Sequence, residues 1–251
     1  MKIARFLHQG SSRFGIVEDG TIFDAPGEIG GDFTRGEGSY RLDEVRLLPP
    51  SLPSKIVAIG LNYRAHAAEF NKTLPEDPMI FMKPPTALIG HGDEIVYPAH
   101  MSRRVDFEAE LAVVIGKECR MVAEDEAESV IFGYTCFNDV TARDLQKTDT
   151  QYARAKGFDT FAPLGPWIET EYDPRAVRIE SYLNGERRQD TSTEDMIFDV
   201  FRLVSFVSRV MTLLPGDVIA TGTPSGVGKM KPGDVVEIRI EGIGGLVNRV
   251  V

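Results

Sequence analysis

Cysteine is scarce in this chain: Cys119 and Cys136 are the only two in 251 residues, and neither has a second cysteine at CxxC spacing. That argues against a disulfide framework and against a thiolate zinc site, and fits reduced thiols in a cytoplasmic protein. Histidine is sparse too, at four, and no pair has zinc-protease spacing. Trp167 is the single tryptophan and offers little for sugar stacking. No segment approaches 18 uninterrupted apolar residues, and Met1 to Gln9 lack the apolar core of a leader, so a soluble protein without membrane contact is expected. Positive charge is in deficit, 28 Lys and Arg against 38 Asp and Glu, for a net charge of -10. Such a surface repels phosphate backbones, which speaks against a nucleic-acid partner. A small anionic substrate is admissible only where a cation or a local basic cluster reverses the field.

What the chain does contain is a hydrophobic fraction of 42%, ample for one large domain with a small appendage. Residues 2–24 alternate apolar and polar around two turns, the pattern of a strand meander, and Pro49, Pro50 and Pro53 mark a link. The division expected is therefore a small N-terminal β domain over 1–50 and a catalytic domain over 51–251. Strands are expected at 79–83, 93–97, 107–116, 134–139, 178–184, 217–221 and 234–250, with Asn184-Gly185 as a hairpin turn and Pro-Gly-Asp turns at 215–217 and 232–234. Helices are few: one within 197–213, where apolar residues recur at helical spacing, a shorter one at 123–131, and a third beginning near Thr141. Without strand-helix alternation the class is α+β, predominantly β.

Glu108 and Glu110 sit one residue apart in a stretch whose second half is apolar on both faces and reads as a buried strand. A strand repeats every two residues, so both carboxylates point the same way, with Cα atoms about 6.6 Å apart. Like charges roughly 5 Å apart repel by about 3 kcal/mol at an effective dielectric near 20. A metal cation, a basic side chain or protonation must offset this; the competing reading is an ordinary strand with a wet face formed by Asp106, Glu108 and Glu110. Asp139 closes the apolar strand before Thr141, where a helix cap is the alternative role. Three carboxylates without histidine or cysteine make an all-oxygen site, suited to Mg²⁺, Mn²⁺ or Ca²⁺.

His66 and Glu69 lie three residues apart on a short helix expected over 62–70, so they share a face. A carboxylate beside an imidazole orients it and raises its basicity, as a water-activating base needs; a surface pair is the plainer alternative. The segment 71–78 that follows reads as a loop that could close over a site. Ala220-Thr-Gly-Thr-Pro-Ser-Gly-Val-Gly228 follows a strand and exposes backbone N–H groups that can take an anion. It matches neither the P-loop nor the GxSxG pattern, and a plain turn competes.

Several ordered blocks together resemble the fumarylacetoacetate hydrolase family: Gly60-Leu-Asn-Tyr-Arg-Ala-His66, Phe81-Met-Lys-Pro-Pro-Thr86, Val105-Asp-Phe-Glu-Ala-Glu-Leu-Ala-Val-Val-Ile-Gly116, Asn138-Asp-Val-Thr-Ala-Arg-Asp144 and Gly216 to Gly228. The resemblance implies a mixed β-sandwich roll, usually a homodimer, and a divalent metal on Glu108, Glu110 and Asp139. It implies His66, Glu69, Gln146 and Lys156 as catalytic groups, and Tyr63, Lys83, Arg143, Gly222 and Thr223 as substrate contacts. Leu61-Asn62 stands where fumarylacetoacetase proper has a further carboxylate, so fumarylacetoacetate itself is a poor fit.

The branch indicated handles 2-oxo acids, by hydrolytic carbon-carbon cleavage of acylpyruvates through a metal-stabilised enolate. Oxaloacetate decarboxylation or tautomerisation, and the isomerase and decarboxylase steps of homoprotocatechuate breakdown, are the alternatives. A paired-carboxylate glycosidase is disfavoured because both glutamates leave one strand. A catalytically silent binding domain is disfavoured by the intact His66, Glu69, Gln146 and Lys156.

Overall fold

The computed structural model describes residues 1–69 and 71–251. Strands dominate, as expected. The meander forms β1 (Lys2–His8), β2 (Ser11–Glu18), β3 (Thr21–Asp24), β4 (Ser39–Arg41) and β5 (Arg46–Leu48). The chain then runs through β6 (Ile56–Gly60), helix α1 (Arg64–Glu69), β7 (Met79–Lys83), β8 (Leu88–Ile89) and β9 (Glu94–Ile95). β10 (Val105–Phe107) and β11 (Ala109–Ile115) precede β12 (Ile131–Asn138), β13 (Thr141–Ala142), α2 (Arg143–Thr148) and α3 (Ala153–Lys156). β14 (Ala162–Glu169) leads to β15 (Arg178–Leu183), β16 (Glu186–Ser192) and α4 (Val200–Val210). The last strands are β17 (Val218–Ala220), β18 (Gly228–Met230), β19 (Val235–Ile240) and β20 (Gly244–Val250).

Among the described residues, one large sheet runs β4-β3-β2-β1-β14-β12-β11-β17-β6-β7, with β5 on β1 and β8 on β14. Against it packs a second sheet, β16-β15-β19-β20-β9, and a small sheet, β13-β10-β18, lies beyond one end of β11 and β12. Every residue of β11 is buried, which explains its apolar character on both faces. Leu111, Val113 and Ile115 enter one core with Ile238 and Leu246, while Ala112 and Val114 enter another with Ile56, Phe137 and Leu164.

The structure departs from the sequence pattern at four places. The strand expected at 107–116 is interrupted at Glu108, and the run at 234–250 is two strands joined at Gly242, whose φ of +78° suits a tight turn. Residues Glu124–Val130 form a 3₁₀ helix rather than an α-helix; no side chain caps its start, and it leads straight into β12. β14 is hidden in sequence by Pro163, Gly165 and Pro166, yet it joins the meander to the main sheet by pairing with both β1 and β12. The helix expected over 62–70 is α1, with Phe70 outside the described residues.

β6 and β17 are parallel, Ile56 opposite Val218 and Ala58 opposite Ala220. Parallel neighbours end at the same edge, so the segments after them, Leu61-Asn62 and Thr221-Gly222-Thr223, emerge side by side. The far end of the pair is pinned by Asp217 of the first Pro-Gly-Asp turn. Its buried carboxylate accepts from the N–H of Ser54 (3.0 Å), Lys55 (3.2 Å) and Leu214 (2.8 Å), from Ser54 Oγ (2.7 Å) and from the Lys55 ammonium. Asp217→Ala strands several of these donors and should lower stability by about 3 kcal/mol. Urea unfolding followed by circular dichroism checks this; an unchanged midpoint would refute the pinning role.

Candidate active site and metal centre

The interruption at Glu108 has a counterpart on the neighbouring strand. β11 and β12 pair from Ala109 opposite Asn138 onward, whereas β10 and β13 pair in a different sheet, Asp106 opposite Thr141. Both chains therefore leave the ladder at the same level, at Glu108 and at Asp139-Val140. The crossing is held by Glu108 N–H on Asn138 Oδ1 (3.0 Å) and Asp139 N–H on the Glu108 carbonyl (3.0 Å). Two carboxylates are thereby brought face to face, and Glu110, on the first turn of the pleat inside β11, supplies a third. One oxygen from each of Glu108, Glu110 and Asp139 lies within 4.8 Å of the others, and all three residues are buried. A wet strand face is thus overturned, and Asp106 is buried as well.

Basic groups surround this cluster from outside. The Lys156 ammonium donates to Glu108 Oε2 (2.8 Å) and to Asp139; Lys83 donates to Asp139 and to the Val140 carbonyl (3.1 Å). Arg143 joins Glu108 to Asp106, its Nε 2.9 Å from Asp106 Oδ2, and its Nη1 donates to Gln146 Oε1 at 2.6 Å. Burial alone would raise the Glu108 carboxyl, but Lys156 and Arg143 outweigh it and hold it well below 4.5. Burial would likewise lower the Lys156 ammonium, yet Asp139 and Glu108 raise it. For Lys83 burial wins, reinforced by Lys156 against the pull of Asp139, and its ammonium is pushed below 10.5.

Glu110 is the exception. Burial, then the charges of Asp139 and Glu108, push its carboxyl well above 4.5, and among the described residues its one hydrogen bond is from the Gly222 N–H (2.9 Å). None of the ion pairs among the described residues includes it. An all-oxygen donor set with one carboxylate left uncompensated fits a hard divalent cation, which these three residues would hold.

Gly222 is required where it stands. Its φ is +95°, and a Cβ there would lie 2.7 Å from Asn62 Cβ and 3.2 Å from the Ile59 carbonyl. Asn62, fully buried, ties the neighbourhood together: its amide donates to the carbonyls of Thr221 (2.8 Å) and Phe198 (3.0 Å), and its Oδ1 accepts from Phe198 N–H (2.9 Å). Leu61, before it, takes a left-handed φ of +54°, a strained conformation for a leucine. α1 has only six residues and is stabilised from outside: Asp195 accepts from Ala65 N–H (2.9 Å) and Arg64 donates to the Met196 carbonyl (2.6 Å). This sets His66 in the pocket wall with Nδ1 3.2 Å from Glu69 Oε2. Burial, ahead of the opposing pulls of Glu108 and Glu69, holds the imidazole below 6.5.

The resulting pocket has a volume of about 310 Å³. His66, Glu108, Glu110, Asp139, Arg143, Gln146, Lys156 and Thr223 all line it. Of the other residues expected at the site, Lys83 stands behind Asp139, Gly222 behind Glu110, and Glu69 behind His66. Tyr63 is fully buried in the main core. The Thr223 hydroxyl is already engaged, donating to the Ala109 carbonyl (2.9 Å) and accepting from Gln189 Nε2 (2.8 Å). Sequence reasoning missed the wall residues Lys72, Met79, Lys147 and Tyr152, which carry no motif, and the clamp formed by Asn62 and Gln189. The polar Asn62 within an apolar strand exit was the one signal available. A larger cavity, about 1000 Å³, lies against the meander, but both of its arginines are paired, Arg41 with Asp43 and Arg46 with Asp93, and among the described residues it holds no carboxylate cluster.

Comparison with known proteins identifies the family and the fold. Residues 55–251 match the family model "Fumarylacetoacetate (FAA) hydrolase C-terminal", and residues 1–50 match "Rv2993c-like, N-terminal". The 2,4-didehydro-3-deoxy-L-rhamnonate hydrolase of Sphingomonas sp. (strain SKA58) is 42% identical, over 97% of this chain and 94% of its own. Oxaloacetate tautomerase YisK of Bacillus subtilis (strain 168) is 43% identical, over 86% and 76%. The solved structure of maleylpyruvate hydrolase from Sphingobium sp. SYK-6, in complex with manganese (II) ion and pyruvate, superposes with a TM-score of 0.84 at 33% identity, covering 100% of this chain and 99% of that one.

Because Gly222 both orients Glu110 and needs the space beside Asn62, Gly222→Ala should weaken Mn²⁺ binding by about 10- to 100-fold while the protein stays folded. Calorimetric titration with Mn²⁺ beside a circular dichroism spectrum tests this, and full affinity in a folded variant would refute it.

Proposed function

The chain belongs to the fumarylacetoacetate hydrolase family, and on that footing we propose that it is a divalent-metal-dependent enzyme of 2-oxo acids that hydrolyses a carbon-carbon bond in acylpyruvate-type substrates. The observation that carries this reading is His66, backed by Glu69, in the wall of the same pocket whose floor is the triad of Glu108, Glu110 and Asp139. An ion held by that triad, Mg²⁺ or Mn²⁺, supplies Lewis acidity towards the 2-oxo acid head group.

The remaining work falls to the chain's own side chains. Burial keeps His66 neutral near pH 7, and Glu69 fixes the ring and stabilises the imidazolium that forms when His66 takes a proton from water. The hydroxide equivalent adds to the distal carbonyl, the bond to the pyruvate carbon breaks, and that carbon receives a proton as pyruvate leaves. Water's atoms are thereby divided between the new carboxylic acid and pyruvate. Gln146, its carbonyl turned to Arg143, keeps its amide N–H groups for the substrate, and Lys156 places a buried positive charge beside the developing enolate. With its hydroxyl committed, Thr223 has its backbone N–H left for a substrate carboxylate. The tautomerase relative favours a second reading, in which oxaloacetate undergoes proton transfer without attack by water.

Replacing His66 by Ala should lower acylpyruvate cleavage by about 10²- to 10⁴-fold and leave Mn²⁺ binding intact. Because the imidazole lies below 6.5 and acts when neutral, kcat/KM of the parent enzyme should fall as pH drops through a midpoint under 6.5. Undiminished cleavage by the variant removes His66 as the base; loss of acylpyruvate cleavage with oxaloacetate tautomerisation retained separates the two reactions.

A further inference from the structure

Resting on the 2-oxo acid reading above, we propose that Lys72 and Lys147 form an anion subsite at the pocket mouth, and that the substrate carries a second carboxylate at the end remote from its 2-oxo group.

The cations lining the pocket fall into two sets. Arg143 and Lys156 are consumed by the floor, in ion pairs with Asp106, Glu108 and Asp139. Lys72 and Lys147 also line the pocket, both exposed, and neither has an ion pair or a side-chain hydrogen bond among the described residues. In a chain with 38 acidic residues against 28 basic ones, a lysine on the surface has no shortage of carboxylates to meet. Two of them around one opening, with every acid of the pocket lining confined to the buried floor, put positive charge at the rim on a negative protein.

Both lysines stand on anchored backbone. The Lys72 N–H donates to the Ala67 carbonyl (2.9 Å), closing α1 just beyond His66, while Lys147 belongs to the last turn of α2, next to Gln146. Between floor and mouth the lining is apolar or aromatic: Ile59, Met79, Phe81 and Tyr152, the last two rings meeting edge-on at 5.5 Å. Exposure rises in the same order, from the buried acids through the half-buried Phe81 and Tyr152 to the exposed lysines. A charged floor, an apolar middle and a basic rim match a 2-oxo acid head, a short carbon chain and a distal carboxylate. An uncharged tail leaves the rim without a partner.

The test is calorimetry on the Mn²⁺-loaded protein with 2-oxoglutarate and 2-oxopentanoate, which have the same chain length but end in a carboxylate and a methyl group. The parent protein should bind the dicarboxylate about tenfold more tightly at low salt, each exposed lysine contributing a few-fold. Combining Lys72→Met with Lys147→Met keeps the apolar stems and should shrink the preference to about twofold, as should raising NaCl to about 0.5 M in the parent. Affinity for 2-oxopentanoate should be the same in both proteins. Equal affinities in the parent, or a preference that survives the double replacement, overturn the subsite and leave the 2-oxo acid reading standing. Binding of neither compound by the parent overturns both.

Discussion

Three buried carboxylates within 4.8 Å of one another are the constraint around which this protein is organised. Their mutual repulsion has to be balanced inside the core, and the balance is uneven. Glu108 and Asp139 each have basic partners, Lys156 serving both, whereas Glu110 has, among the described residues, a single backbone N–H. Removing solvent from such a group is costly unless a counter-charge is present, so the uneven pairing of the three acids is as specific a feature as the side chains themselves. The surrounding fold can be read as what it takes to keep that arrangement from relaxing: a strand pair that breaks at one level, a parallel pair that delivers two loops to one edge, and Asn62 stitching those loops together.

Much of this was legible in sequence because it rests on local pattern. The meander over 2–24, the hairpin at Asn184-Gly185, the amphipathic α4 and the all-oxygen character of the site follow from periodicity and residue type. The pairing of Glu108 with Glu110 followed from strand geometry, and His66 with Glu69 from helical spacing. What stayed hidden depends on long-range register. Nothing local reveals that the ladder breaks at Glu108, that β14 runs through Pro163 and Pro166, or that the Thr223 hydroxyl is absorbed by Gln189 from a strand 34 residues away. Lys72 and Lys147 were invisible for another reason: a surface lysine has no signature until the fold shows what it faces.

Lys83 shows how a residue's type and its placement combine. Its position in the Phe-Met-Lys-Pro block implied a substrate contact, yet its ammonium is fully buried behind Asp139. Its ammonium donates to Asp139 from the protein side, while the Asp139 carboxylate also lines the pocket. Lys156, also buried, acts from the other side and remains within reach of a ligand.

The shared interruption of β10/β11 and β12/β13 separates two kinds of work in the molecule. Below it, the paired strands β11 and β12 carry Glu110 and end at Glu108 and Asp139, so they cannot shift by one residue without turning the acids out of the site. Above it, the far end of α2 and the segment after α1 carry exposed side chains such as Lys147 and Lys72 that make no contact with the floor, so they can be exchanged without disturbing it. An architecture divided this way lets natural selection remodel which molecules are admitted while inheriting the reactive centre unchanged, and descendants of one ancestor can diverge in diet before they diverge in chemistry.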